Sequence, residues 1–278
     1  MIEVRIEEDS TAPSGVRLTT FVLKYPRMIH SELMTHRVFS RNASSSRAIP
    51  LEKQIRMLEK DLAYPLEFRK NKKGMQAGNL LDDINQQKAR IFWKLAAQNA
   101  INSARRINGL DKEGVHKQYL NRLLEPFAHI SVILTSTQYD NFFNLRYHED
   151  AQPEIYELAK KMYQEYNGNK PKVLRAGEWH LPFVNEEDRT ILTHTQQIQK
   201  SVACCARVSY NNHDGTTPTT QQNERLYKRL LERTPCHASP AEHQAMAIGD
   251  AGVRSGNFSG WIQYRQTLKD HNCTKFTK

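Results

Sequence analysis

The sequence predicts an α+β domain, mainly helical with a small sheet, on three observations. Apolar residues recur at helical spacing through several long stretches, while one early segment, Gly15–Leu23, alternates at the period of a strand. A length of 278 residues with 38% hydrophobic content supplies a substantial core, enough for one large domain or two small ones.

In Gly15–Leu23, the opening strand, Val16, Leu18, Thr20 and Val22 alternate with Arg17, Thr19, Phe21 and Leu23. Pro50 is a natural first residue for a helix whose apolar positions are Leu51, Ile55, Leu58 and Leu62. The basic stretch Arg69–Lys73 reads as a surface turn. A longer helix follows over Leu80–Ile107, with Leu81, Ile84, Ile91, Phe92, Leu95 and Ile101 as its expected buried stripe and Gly109 at its C-terminal cap. Val115, Tyr119, Leu120 and Leu123 continue the pattern in a further helix. The run HISVILTSTQ is apolar but short, and periodicity leaves strand and buried helix both open. Asp150–Tyr166 is helical, with Ile155, Leu158 and Met162 on one face, so the middle of the chain reads as a helical bundle.

Gly168–Asn185, which carries Trp179 and His180 among its glycines and prolines, reads as a connection between two halves, and the join of segments 1–167 and 186–278 in one catalytic domain. Beyond it, Ile191–Cys205 reads as helix, Ala206–Tyr210 as extended, NNHDGTTPTT as loop, and Gln221–Arg233 as a helix turning Leu226, Leu230 and Leu231 inward. There is no strict internal repeat and no low-complexity tract.

Forty Lys and Arg against thirty Asp and Glu leave a net charge of +10, a field that favours nucleotides, nucleic acid or anionic lipid without choosing among them. Four cysteines, two of them adjacent at Cys204 and Cys205, form neither a disulfide framework nor paired zinc-ligand spacing, which fits a reducing, cytoplasmic setting. The charged start MIEVRIEEDS is not expected to be a signal peptide. No stretch approaches the roughly 18 apolar residues of a membrane span, so no membrane partner is expected.

The chemistry concentrates in five places. Thr35–Arg47, THRVFSRNASSSR, packs a histidine, three arginines and four serines into one short run between ordered elements. Guanidinium forks and clustered hydroxyls are donors suited to a phosphate, although a solvated polar loop has the same composition. Asn141–Arg146, NFFNLR, sets an arginine among Phe142, Phe143 and Leu145, either snorkelling or holding a desolvated cation against a base or oxyanion. HASPAEH, His237–His243, contains a capping box from Ser239 to Glu242 that needs no ligand. Its two histidines are not the i, i+4 pair of a helical zinc site, and no metal is expected. Arg122 lies near a helix end, where arginine commonly caps. Cys236 beside His237 reads either as an activated thiolate or as an incidental cysteine.

Together these segments resemble the flavin-dependent thymidylate synthases. The family's RHR signature with its downstream serines is matched by His36, Arg37, Ser40, Ser45 and Arg47; its NFLxLR-x(4)-AQxEI segment by Asn141–Ile155; its ARVS by Ala206–Ser209; and its HxSPxEH by His237–His243. In the family the last two precede the RHR signature, whereas here they follow it, an order that looks like a circular permutation. Thr35 stands where the family has its first arginine, Glu32 where a glutamine is usual and Ala43 where a glutamate is usual.

The resemblance implies that family's fold in permuted order, with a small antiparallel sheet. It implies that His36 and Arg37 contact the flavin, with Asn141, Ser209, Ser239 and Glu242 on its other side, and that Glu32, Ser45, Ser46, Arg47 and Arg122 hold the nucleotide. Arg146 would face the pyrimidine as the catalytic group. It further implies methylation of dUMP to dTMP with methylenetetrahydrofolate as carbon donor and FAD reduced by NADPH as hydride source, in a homotetramer with sites between subunits.

Carboxylates at Glu32 and Asp140 leave a cytosine nucleotide (dCMP) or a hydroxymethyl product open. The cysteine-dependent thymidylate synthases share a Pro-Cys-His context with Pro235–His237, but the rest of their pattern is missing. A basic nucleic-acid-binding protein would explain the charge, but not NFFNLR, ARVS or HASPAEH. Asn257–Arg265, NFSGWIQYR, reads as serving substrate or interface equally well.

Overall fold

The computed structural model describes residues 1–212, 215–269 and 271–274. In chain order it begins with β1 (Glu3–Thr11), β2 (Arg17–Pro26), α1 (His30–Met34), β3 (Ser40–Ala43), α2 (Leu51–Lys60) and α3 (Asp83–Asn108). It continues with α4 (Lys117–Leu124), β4 (His129–Ser136), α5 (Asp140–Arg146), α6 (Pro153–Gly168), β5 (Lys172–Val173) and β6 (Trp179–His180). It ends with α7 (Glu186–Ile191), α8 (His194–Arg207), α9 (Thr220–Leu231), β7 (Ala245–Ala247), β8 (Arg254–Ser255), β9 (Phe258–Ser259) and β10 (Trp261–Gln263). The α+β class expected from the sequence holds.

The main sheet runs β3-β4-β2-β1-β5, antiparallel except for the short β1–β5 pair. Its two central strands are covered on both faces. On one, Phe21, Leu23 and Tyr25 of β2 and Ile130, Val132 and Leu134 of β4 pack against Phe142 of α5 and Ile155, Leu158 and Met162 of α6. On the other, Val22 and Ile133 meet Phe183 together with Cys204 and Cys205 of α8. HISVILTSTQ is therefore a strand, and its apolar run has no clear period because alternate side chains enter two different cores. Helices from the middle and the late part of the chain thus pack on opposite faces of one sheet, the middle layer of three.

Several local expectations change. The middle of the chain is not one bundle: α2, α3 and α4 close a small core around Ile55, Leu58, Ile101, Leu120 and Leu124, and β4 then returns to the sheet. In α3 most of the expected stripe faces outward, with Ile84, Ile91, Phe92 and Leu95 exposed; its member Ile101 is buried as expected, beside Ala97 and Ala104. Gly109 does close α3, but with φ of −80°, outside the left-handed region. Gly168–Asn185 is more than a connection. It contributes β5 to the main sheet and β6 to a second sheet, β10-β7-β6, and it buries His180 completely.

Ala206–Tyr210 is not extended: Val208 caps α8 in the left-handed region at φ 59°. A β-branched residue there carries strain of about 1–3 kcal/mol. Contacts with Ile133 and Phe183 hold it. Ser239–Glu242 is a single 3-10 turn without a side-chain cap, so the anticipated capping box does not form. The loop NNHDGTTPTT lies partly outside the described residues, at His213 and Asp214. Among the described residues no helix is long and apolar enough to cross a membrane.

Candidate active site

Phe142 and Phe143 anchor α5 in the core and leave Arg146 in its last turn, where a cation complements the helix dipole. The guanidinium is held on three sides. Its Nε donates to His36 Nε2 at 3.0 Å, Nη1 to Glu32 Oε2 at 3.5 Å and Nη2 to Thr35 Oγ1 at 3.4 Å. A guanidinium has five N–H donors, so one on each terminal nitrogen is left for a ligand.

His36 is buried against Phe39 and Phe142, with ring centroids 5.8 and 5.0 Å away. Burial, reinforced by the charges of Arg146 and Arg41, pushes its pKa down. It therefore stays neutral and accepts at Nε2 from a cation beside it. Burial raises the Glu32 carboxyl, the Arg146 charge opposes that rise, and the nearby Glu154 adds to it. Thr35, standing in place of an arginine, is thus part of the cradle for Arg146.

A second group forms where the HASPAEH turn meets β3. Arg41 donates from Nη1 to the carbonyls of Met34 (2.9 Å) and His36 (3.4 Å), and burial lowers its pKa against the opposing charge of Glu242. Glu242 is ion-paired with Arg265. Gln263 ties the segments together, donating from Nε2 to Ser40 Oγ, the Glu242 carbonyl and Asn257 Oδ1, while Asn257 donates to the Val38 carbonyl. NFSGWIQYR is accordingly structural, with Phe258 and Trp261 fully buried between these polar brackets. Beside this junction lies a cleft of about 490 Å³ lined by Arg41, Asn42, Ala206, Arg229, Arg233, His237 and Ser239, among others. Ser209 follows the strained Val208 and donates its N–H to the Cys204 carbonyl. The histidines of HASPAEH part company, His237 exposed on the cleft and His243 fully buried.

The third group surrounds Glu125. Ser46 Oγ donates to it at 2.6 Å, Arg27 pairs with it at 3.1 Å, and exposed Arg122 pairs with it at 3.1 Å. Ser46, read from sequence as a nucleotide contact, is thereby turned toward a carboxylate. Ser45, Arg47, Arg37 and Asn141 are exposed on the surface of the chain.

The site residues expected from sequence thus form three neighbourhoods rather than one pocket. Arg146, His36 and Glu32 come together; Ser239 lines the cleft beside the junction that holds Glu242; Ser46 and Arg122 share Glu125. Thr35, Arg41, Asn257 and Gln263 were missed. Arg41 lay inside the run already singled out, and Asn257 and Gln263 inside a segment whose role was open. A buried chain of hydrogen bonds was missed as well: Ser10 to His180 at 3.0 Å, His180 to Thr20, Thr20 to Thr135, and Thr135 to His243, each at 2.8 Å. Single hydroxyls spread over such distances in sequence carry no local signal.

Among curated proteins no sequence matches the chain. Among solved structures it resembles a UMP/dUMP methylase from Streptomyces cacaoi bound with 5-Br UMP, at 16% identity over 60% of this chain and 90% of that one, with a TM-score of 0.51. It is also matched to thymidylate synthase X from Helicobacter pylori with FAD and dUMP, at 19% identity over 55% of this chain and 69% of that one, with a TM-score of 0.36. Residues 10–172 match the sequence profile described as thymidylate synthase complementing protein. That span covers more than half of the chain and includes both the Thr35–Arg47 run and NFFNLR; the chain belongs to the thymidylate synthase complementing protein family.

Proposed function

We propose that the protein is a flavin-dependent thymidylate synthase, methylating C5 of dUMP with methylenetetrahydrofolate as carbon donor and FAD reduced by NADPH as hydride source. Family membership supports flavin-dependent C5 methylation of a pyrimidine nucleotide as the general activity. The observation that carries the finer reading is the Arg146 guanidinium, gripped by a neutral histidine, a carboxylate and a hydroxyl, with donors to spare.

C5 of uracil is a poor nucleophile. Arg146 aims fixed positive charge at a ring oxygen or nitrogen and stabilises the form of the base that is nucleophilic at C5. His36 and Glu32 position that charge. Their grip spares Arg146 the reorganisation that an unanchored side chain would undergo as charge develops. The donor set fits a flavin dinucleotide: hydroxyls at Ser209 and Ser239, the Asn141 amide and the exposed Arg37 are accessible on the surface. These residues, with His36 and Glu242, would hold the FAD. When bound, the flavin supplies the hydride that completes the methyl group. Ser45, Arg47 and Arg122 would hold the nucleotide phosphate.

Segments 1–167 and 186–278 act as one catalytic domain in permuted order. This is supported by the packing of Cys204 and Cys205 of α8 with Val22 and Ile133 of the main sheet and by the Gln263 bridge from Ser40 to the Glu242 carbonyl. The outward stripe of α3 supports association of copies into the homotetramer expected of the family. The buried thiols of Cys204 and Cys205, adjacent and not joined in a disulfide, fit a cytoplasmic setting.

The test is an absorbance spectrum of the purified protein, then turnover with dUMP, methylenetetrahydrofolate and NADPH. Flavin absorbance and thymidylate as product are expected. A colourless protein that takes up no added FAD overturns the reading, and the product's mass separates dUMP methylation from hydroxymethylation or a dCMP reaction. Activity retained in Cys236→Ala excludes the cysteine-dependent route.

A further inference from the structure

Arg225 and Arg229, four apart on α9, stack on one side of the helix, and Arg233 follows two residues past its end. Like charges at this spacing destabilise a helix unless something neutralises them. None of the three has an ion pair among the described residues, whereas their neighbour Lys228 is paired with Glu224 at 2.7 Å. The arginine side, though exposed, borders two clefts. Arg229 and Arg233 line the 490 Å³ cleft opposite Arg41, with His237 and Ser239 at its rim. Arg225 and Arg229 line an adjoining cleft of about 620 Å³ with Arg207, whose guanidinium is fixed by Asn223 at 2.7 Å. The two clefts share Ala206, Arg229 and Leu230, and among the described residues neither has a carboxylate in its wall. The result is a continuous groove between α8, α9 and β3, lined by five arginines and ending beside Ser239.

We propose that this groove is a phosphate site for an adenine dinucleotide cofactor, with Arg229 at its centre and Arg233, Arg225 and Arg41 around it. Guanidinium forks bind phosphate oxygens in bidentate fashion, and a groove rather than a point suits an extended ligand with more than one phosphate. Two sources share this chemistry: the diphosphate of the flavin dinucleotide, and the phosphates of the reductant, including its 2′-phosphate. That choice rests on the function proposed above, but the phosphate site itself does not.

The test uses calorimetric titration of the full-length protein with ADP and with adenosine 2′,5′-bisphosphate. The variants are Arg229→Ala/Arg233→Ala, its double-lysine counterpart, and Lys228→Ala as a control that keeps the groove intact. The double-alanine protein is expected to lose about tenfold or more in affinity for one of these probes, with partial recovery in the lysine pair and no change in the control. All the substituted side chains are solvent-exposed, so folding should be preserved, and thermal melts check this. If affinity for FAD falls in parallel, the flavin diphosphate is the source; if FAD binding holds while the preference for NADPH over NADH collapses, it is the reductant. A wild-type protein that binds neither probe, an alanine pair that binds them unchanged, or single-stranded DNA binding in preference to both overturns the proposal. A protein that binds the probes but shows neither flavin nor turnover sinks the proposed function and leaves the phosphate site standing.

Discussion

Helices α3 and α6 carry comparably clear apolar stripes and end in opposite environments. On α6, Ile155, Leu158 and Met162 are fully buried against the sheet; on α3, Ile84, Ile91, Phe92 and Leu95 remain more than half exposed. The difference is not in propensity, since both helices form. It lies in what each stripe has to cover it. The α6 stripe meets β2 and β4 of its own chain, whereas α3 presents Ile101 and Ala104 to α2 and α4 and keeps Ile84, Ile91, Phe92 and Leu95 outside. Periodicity identifies a face that seeks cover without saying which molecule provides it.

The contrast is broken most directly on the α6 side. Leu158→Ala opens a cavity beneath the sheet and is expected to cost about 2–5 kcal/mol, read as a shift in the urea midpoint. A loss below about 1 kcal/mol would mean that the α6 stripe is no better packed than that of α3. The same side carries the chemistry proposed for Arg146. Arg146→Ala should lower kcat by about 10²–10³ while flavin binding and thermal stability are kept. His36→Ala should lower kcat less, because it leaves the charge in place and frees only its aim. Near-native turnover in Arg146→Ala would remove that residue from the reaction.

A smaller effect distinguishes polar burial from apolar burial. His180 and His243 are completely buried, and burial lowers the pKa of each to about 3, with the charge of Arg189 adding to the shift at His180. Each is depressed below its ordinary value of 6.5, so the unfolded chain binds more protons than the folded one between about pH 6.5 and 3. Their contribution to stability is therefore complete above pH 6.5 and is lost as the pH falls through that window. Each histidine adds a slope of at most about 1.4 kcal/mol per pH unit. Glu8 works the other way, since burial raises its carboxyl to about 7 and favours the folded state as the pH drops toward 4.5. The clean measurement is thus a difference: between pH 6 and 4, His243→Gln should flatten the stability profile relative to the unsubstituted protein, and parallel profiles would refute the assignment.

What could be read from the sequence follows the same division. Arg146 and His36 were visible because an arginine among phenylalanines and a histidine in a hydroxyl-rich run are unusual in local composition, whereas Glu32 entered only through the family resemblance; the structure joins all three. The α6 stripe was visible because its period is local. Strand β4 was ambiguous because Ile133 and its neighbours enter different cores, a fact set by layers that arrive later in the chain. Val208 was read as extended because no residue-type signal marks a left-handed valine; its conformation is imposed by the packing around it. Gln263 and Asn257 brace Ser40 and Val38 across more than two hundred residues, a pairing that only the folded sheet creates.

The least costly substitution tests the α3 side. Ile91→Ser/Phe92→Ser removes two outward apolar groups that touch no core within the chain, so the stability of an isolated subunit should change by about 0.5 kcal/mol or less. The effect should appear instead in association. If copies of the chain cover this stripe, the unsubstituted protein has a Tm that rises with concentration and a mass above that of one chain, and the double variant loses both. Light scattering and melts across a concentration series read the two quantities together. A variant that assembles as before but melts several degrees lower at every concentration would place the cover for α3 within its own chain, and the two helices would then differ only in degree.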